Sequence, residues 1–192
     1  GHFDHTGGLM RVLEQVKRVP VVAHPAALSP KFAVRKGKKR EIGIPFSREA
    51  LEAAGAILRL DEGPQEVVEG VLATGEVPRV TDFESVSEMF QVPAGDGLVH
   101  DLIPDDQSLI VDTDEGPVLV LGCAHAGLIN TLMHASSLTG ARRFAAVIGG
   151  THMVEADDAR IQRTIQELGQ FDIGWMGPCH CTGFKGQAAF YQ

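Results

Sequence analysis

The chain has 192 residues, 44% of them hydrophobic and 22% charged, with a formal net charge of −8 at pH 7. That length supports one sizeable core and is short for two, so a single domain over residues 1–192 is expected. The acidic balance excludes a non-specific nucleic-acid binder, which needs clustered Lys and Arg to displace phosphate counterions. No apolar run reaches the roughly 18 residues of a membrane helix, and no secretory signal precedes the first motif, so no membrane association and a cytoplasmic location are expected.

The chain opens on Gly1-His2-Phe3-Asp4-His5-Thr6-Gly7-Gly8. Two imidazoles and a carboxylate this close together, in a turn that opens into a helix, suit a pair of metal ions better than a packing role. The donor types favour zinc, iron or manganese over magnesium or calcium. Leu9, Val12, Leu13 and Val16 recur at helical spacing and predict a helix over 9–18, whose positive end would favour the Asp4 carboxylate and an anionic substrate. Residues 19–24 read as a strand ended by Pro25. Ser47 reads as the N-cap of a helix over 48–54. Between them, the basic segment Lys31 to Arg40 and the following Glu41-Ile42-Gly43-Ile44 read as two strands around a turn at Lys36-Gly37. Its charges serve either as a solvated edge that discourages aggregation or as an arm drawing in an anionic substrate. Residues 56–60, 67–73 and 77–83 read as strands, and 86–97 as a loop.

From residue 107 the pattern becomes regular. Residues 108–112 and 117–121 form a hairpin around Thr113-Asp114-Glu115-Gly116, and the second strand delivers His125 in Leu121-Gly122-Cys123-Ala124-His125-Ala126-Gly127. A helix over 126–138 follows. A strand over 144–148 delivers His152 in Ile148-Gly149-Gly150-Thr151-His152, an amphipathic helix covers 157–168, and a strand over 173–176 delivers His180 in Gly177-Pro178-Cys179-His180-Cys181-Thr182-Gly183. Small residues flank each histidine and let backbone approach a ligand closely. Strand, ligand, helix three times over favours an α/β fold with helices covering a sheet. The three cysteines form no disulfide framework. Cys179 and Cys181 share a side by strand alternation and read first as small buried residues beneath the loop, with thiol ligation as the alternative. His134 and His100 are assigned to structure. His24, beside Pro25, stays between a structural role and a substrate contact.

These motifs, with the stretch Pro78 to Glu84 and with Asp105-Asp106-Gln107, resemble the metallo-β-lactamase superfamily. More narrowly they resemble its dihydropterin-ribofuranosylaminobenzene-phosphate synthase-like hydrolases. The resemblance covers essentially the whole chain and implies an αββα sandwich with a dinuclear site at one edge. In the family signature His-x-His-x-Asp-His a histidine stands immediately before Gly1. The resemblance implies that this histidine, His2 and His125 hold one metal and that Asp4, His5 and His180 hold the second. His152 would then lie near the bridging place that many relatives fill with Asp. Because members begin with several strands before this loop and end with a strand and helix after the last histidine, the chain is expected to be a piece truncated at both ends.

The implied cofactors are two divalent ions, zinc first, with iron or manganese as alternatives. The implied reaction is hydrolysis of a small, anionic phosphoester or related ester by a metal-activated hydroxide, with Asp4 as the catalytic residue that orients the nucleophile or passes a proton. Two other readings stand beside it. A diiron oxidoreductase of the same superfamily is disfavoured by His2, where that branch carries an acidic residue, and a non-catalytic metal-binding fragment is the third.

Overall fold

A computed structural model describes residues 1–16 and 18–191. The chain divides into two units, Gly1–Gly63 with Val86–Asp105, and Pro64–Ser85 with residues from Asp106 onward.

In the first unit the histidine motif winds into one helical turn, Phe3–Thr6, before a second helix, Leu9–Gln15. That helix ends short of the expected 9–18 because Val16 is extended, and Arg18 takes a φ of 58°. Strand Val19–Ala23 pairs in parallel with Ala56–Leu60. Between them in sequence, helix Arg48–Ala53 starts where the Ser47 hydroxyl accepts from the Ala50 amide at 3.2 Å, the expected cap. Leu13, Leu51 and Ala56 bury together, with Leu9, Val19, Val21 and Leu58 packed around them.

A second, antiparallel sheet of this unit runs Lys38–Glu41, Phe32–Arg35, Phe90–Ala94, Gly97–His100. Its first turn holds Lys36 and Gly37 at φ 48° and 73°, the paired positive angles of a two-residue hairpin. Of residues 86–97, expected as a loop, Phe90–Ala94 is a strand and Gly97 opens another. Pro93 and the run Ala94-Gly95-Asp96-Gly97 hide the alternation in sequence, and pairing of Phe90 and Gln91 with Ala33 and Phe32 supplies the register instead. The basic segment also divides. Its outer strand is exposed throughout, as an edge strand should be, whereas Lys31 is 1% exposed with Nζ 2.9 Å from Asp101 and 2.7 Å from Asp105.

The second unit is built on a six-stranded sheet in the order Met176–Cys179, Ala146–Gly150, Val118–Leu121, Ser108–Val111, Val71–Ala73, Gln65–Val68. The first three strands are mutually parallel and the remaining pairings antiparallel. The expected strand over 67–73 is in fact a hairpin that reverses at Glu69-Gly70, with Gly70 at φ 76°. Residues 77–83 form no strand, because the Val80 and Thr81 amides donate to the Asn130 side chain at 2.9 and 3.0 Å rather than to a ladder. The strands expected over 144–148 and 173–176 are each broken in two. Arg143–Phe144 pairs with Asp172–Ile173, and Ala146–Gly150 then pairs with Met176–Cys179.

Helix Leu128–Thr139 lays Leu128, Ile129, Leu132 and Ala135 into one core with Leu119, Leu121, Phe144 and Val147. Each leucine buried there contributes about 1.5–3 kcal/mol relative to exposure. Helix Asp158–Leu168 begins at Asp157, whose carboxylate accepts from Arg160 N at 2.8 Å. Among the described residues no helix is long and apolar enough to cross a membrane.

Candidate metal centre

Three parallel strands, Val118–Leu121, Ala146–Gly150 and Met176–Cys179, end side by side in the second unit. The loops leaving their carboxyl ends carry His125, His152 and His180, and this is the edge at which α/β sheets bind ligands. The loops are tied to one another. Gly150 N donates to Gly122 O at 3.1 Å. The Thr151 amide and hydroxyl both reach Thr182 Oγ1, at 3.2 and 3.0 Å. His152 N donates to Cys181 Sγ at 3.3 Å, and the Cys181 thiol lies 3.6 Å from Cys123 O.

Glycine is obligatory where the loops meet. A Cβ on Gly149 would lie 2.3 Å from Leu121 O, and one on Gly150 would lie 2.5 Å from Gly122 O and 2.7 Å from Cys181 Sγ. Strain concentrates here too. Ala124, His152 and His180 have φ of 49°, 46° and 50°, conformations that cost about 1–3 kcal/mol each and gather at working sites. Asp106 Oδ2 fixes the first loop by accepting from Ala126 N at 2.8 Å. Behind it, Glu84 accepts from Ile129 N and Asn130 N at 2.9 and 2.8 Å and caps the helix that follows. Burial raises the Glu84 carboxyl above its ordinary value, and those amides oppose the rise.

The ring centroids of His125 and His152 lie 4.0 Å apart at an interplanar angle of 41°. Cys123, His125 and His152 each offer one ligand atom, all within 4.8 Å of one another. Cys123 also lies within 4.8 Å of a ligand atom of His180, which is exposed. Zinc bonds of about 2.0–2.1 Å to nitrogen and about 2.3 Å to sulfur fit such a set after small side-chain rotations. The flanking cysteines do not share one environment, contrary to the alternation expected of a strand. The strand stops at Cys179, which is exposed, and His180 turns left-handed, which brings Cys181 round to Cys123 and His152. Hydrogen bonding to Cys123, assisted by His152, pulls the Cys181 thiol down to about 4 although burial opposes it.

In the first unit, His2 is 8% exposed and its ring stacks on Phe90, with centroids 5.4 Å apart. Burial pushes its pKa down to about 4, which favours the neutral ring at pH 7. Asp4 and His5 are exposed on the short helical turn, Oδ2 to Nε2 at 3.6 Å. His24 has a structural place: its Nδ1 accepts from Ala26 N at 3.0 Å and caps the turn Pro25–Leu28. His100 lies exposed on a strand, and His134 Nε2 is 3.0 Å from Thr74 O. Sequence reasoning passed over Cys123, Asp106 and Thr182 as members of the site. Cys123 stands two residues before His125, and Asp106 stands in the Asp105-Asp106-Gln107 motif that pointed to the family, so those placements were their available signals.

The crystal structure of Tm1679, a metal-dependent hydrolase of the β-lactamase superfamily, matches all of this chain and 70% of its own with a TM-score of 0.83 at 25% identity. In sequence the chain is 29% identical over 201 residues to the 7,8-dihydropterin-6-methyl-4-(beta-D-ribofuranosyl)-aminobenzene-5'-phosphate synthase of Methanocaldococcus jannaschii, spanning 67% of that protein. It is 32% identical over 186 residues to an uncharacterized protein of the same organism, again over 67% of its length. The chain belongs to the metallo-β-lactamase superfamily. No family model matches it. Within the superfamily the synthase similarity supports the branch that the motifs indicated. Both its solved neighbour and its named relative are enzymes, and the neighbour is metal-dependent.

Proposed function

We propose that this metallo-β-lactamase superfamily member is a metal-dependent hydrolase of a small anionic ester, a phosphoester foremost, working with two divalent ions. The observation that carries the reading is the gathering of His125 and His152 with Cys123, all ligand atoms within 4.8 Å, at the carboxyl edge of three parallel strands. Imidazole and thiol donors favour zinc, with iron as the next choice. We assign His2, Asp4 and His5 to the same dinuclear centre as His125, His152 and His180 on the chemistry of the donors and on membership of the superfamily. Such ions, when bound, make a nucleophile available from water near neutral pH and polarise the ester.

The chain's own residues divide the remaining work. His2 is neutral at pH 7 because burial keeps it so, and it binds without first losing a proton. Asp4, exposed beside His5, orients the nucleophile and returns a proton to the leaving group. Asp106 and Thr182 hold the loops that carry His125 and His152. At the helix after His125, Glu84 accepts from the Ile129 and Asn130 amides.

The synthase relative supports phosphate chemistry, its name carrying a 5'-phosphate. It also favours a second reading, in which this site makes a bond instead of hydrolysing one. A panel of chromogenic phosphodiester, lactone and thioester substrates separates the two. The hydrolase reading expects turnover of at least one, abolished by chelator and restored by zinc or manganese. A metal-loaded chain inert across the panel would reject hydrolysis and leave the synthase-type reaction standing.

A further inference from the structure

The Cys123 thiol lies close to the ring nitrogens of His125 and His152. The residue is 5% exposed, and its thiol shares a cluster with His125 and His152 while lying within 4.8 Å of a ligand atom of His180 as well. A cysteine kept only for packing behaves as a small hydrophobe among apolar neighbours. This one has two imidazoles as neighbours. Its backbone is fixed from two sides: Cys123 O faces the Cys181 thiol at 3.6 Å, and a Cβ on Gly150 would lie 3.2 Å from Cys123 Cα. Two strained turns, at Ala124 and His152, hold the loops that bring the three donors together.

We infer that Cys123 is a metal ligand, its thiolate completing the site that His125 and His152 begin. The inference rests on the metal-dependent reading above and deepens it by naming a sulfur donor. On binding, the Cys123 S–H bond breaks, a metal–sulfur bond forms and the proton leaves to solvent, so uptake releases a proton beyond any lost by the histidines. A thiolate makes this half of the centre selective for zinc and iron against magnesium and calcium. Cys181 takes a positioning role, holding the His152 amide and the Cys123 carbonyl in one arrangement.

The test is X-ray absorption at the zinc edge of the zinc-loaded full chain, with cobalt substitution as a second readout. Wild type is expected to show a sulfur scatterer at about 2.3 Å and an intense thiolate-to-cobalt charge-transfer band. Cys123→Ser should lose both, with zinc affinity lower by at least the about 10–100-fold that follows loss of a ligand's supporting partner. Because Cys123 is buried, the decisive variant is Cys179→Ser/Cys181→Ser, which leaves Cys123 as the sole thiol among the three cysteines of the chain. Retained sulfur in that variant supports the assignment. A metal shell of nitrogen and oxygen alone in wild type, or sulfur kept in Cys123→Ser, overturns it while leaving the hydrolase reading intact. A chain that takes up no zinc overturns both.

Discussion

The two units bury polar side chains in opposite ways. The first places Lys31 against Asp101 and Asp105, a cation whose charge is matched inside the protein. Burial alone would raise Asp105, and the Lys31 ammonium 2.7 Å away opposes that rise by favouring the charged carboxylate. The second gathers Cys123, His125 and His152, all donors that a cation from outside can satisfy. A cluster whose charges close on themselves is a structural device. The second groups thiol and imidazole atoms of the kind that ligate transition metals, and it is there that we place the proposed centre.

The largest expected effect breaks the first arrangement. Lys31→Met leaves two buried carboxylates without their cation and should cost about 3–5 kcal/mol, the range for breaking a buried ion pair from one side. Denaturant unfolding of the metal-free chain measures it. His125→Ala and His152→Ala should show the reverse pattern, with metal affinity down by at least about 10–100-fold and a smaller loss of metal-free stability than Lys31→Met. Equal stability losses in all three variants would erase the distinction between the clusters.

Asp106→Ala sharpens the comparison from within the second unit. It removes the acceptor for Ala126 N, at a cost of about 1–3 kcal/mol for a buried donor left unmet, and loosens the loop that carries His125. Calorimetric zinc titration should show weaker binding even though no donor has been removed. Unchanged affinity would mean that the loop holds its shape without Asp106.

The smallest effect concerns pH. Glu84 is raised in the folded chain, chiefly by burial, so the folded state binds its proton more tightly than the unfolded state does. Its contribution is therefore fully present below the ordinary carboxyl value of 4.5 and is lost as pH rises through the higher folded value. In metal-free protein, Glu84→Gln should remove that slope, although the variant is less stable overall because Ile129 N and Asn130 N donate to different carboxylate oxygens and Gln puts an NH2 donor in place of one of them. An identical pH dependence in variant and wild type would contradict the assignment.

Legibility followed the same division. The regular half, with hairpin 108–121 and the three strands that deliver histidines, was readable because apolar runs, glycine pairs and helix caps coincide there. The metallo-β-lactamase superfamily followed from those motifs. Residues 77–100 were misread in both directions. Val77 to Phe83 has the composition of a strand, but Asn130 captures its amides. Phe90 to Ala94 contains Pro93 and lacks alternation, but pairing with residues 32–33 makes it a strand. Both outcomes depend on residues about 40–60 positions away, beyond any local pattern. Lys31 looked like one more surface charge because its partners, Asp101 and Asp105, lie far along the chain. Cys123 went unnoticed because a single thiol in a glycine-rich turn carries no periodic signal.

The central claim is that the Cys123, His125 and His152 cluster holds a transition metal, and elemental analysis of tag-free protein tests it most directly. After exposure to excess zinc and removal of free ion, wild type should retain at least one equivalent, and His125→Ala/His152→Ala should retain less by an equivalent while staying folded by circular dichroism. Only trace zinc, iron and manganese in wild type, or equal metal in wild type and the double variant, would contradict the account.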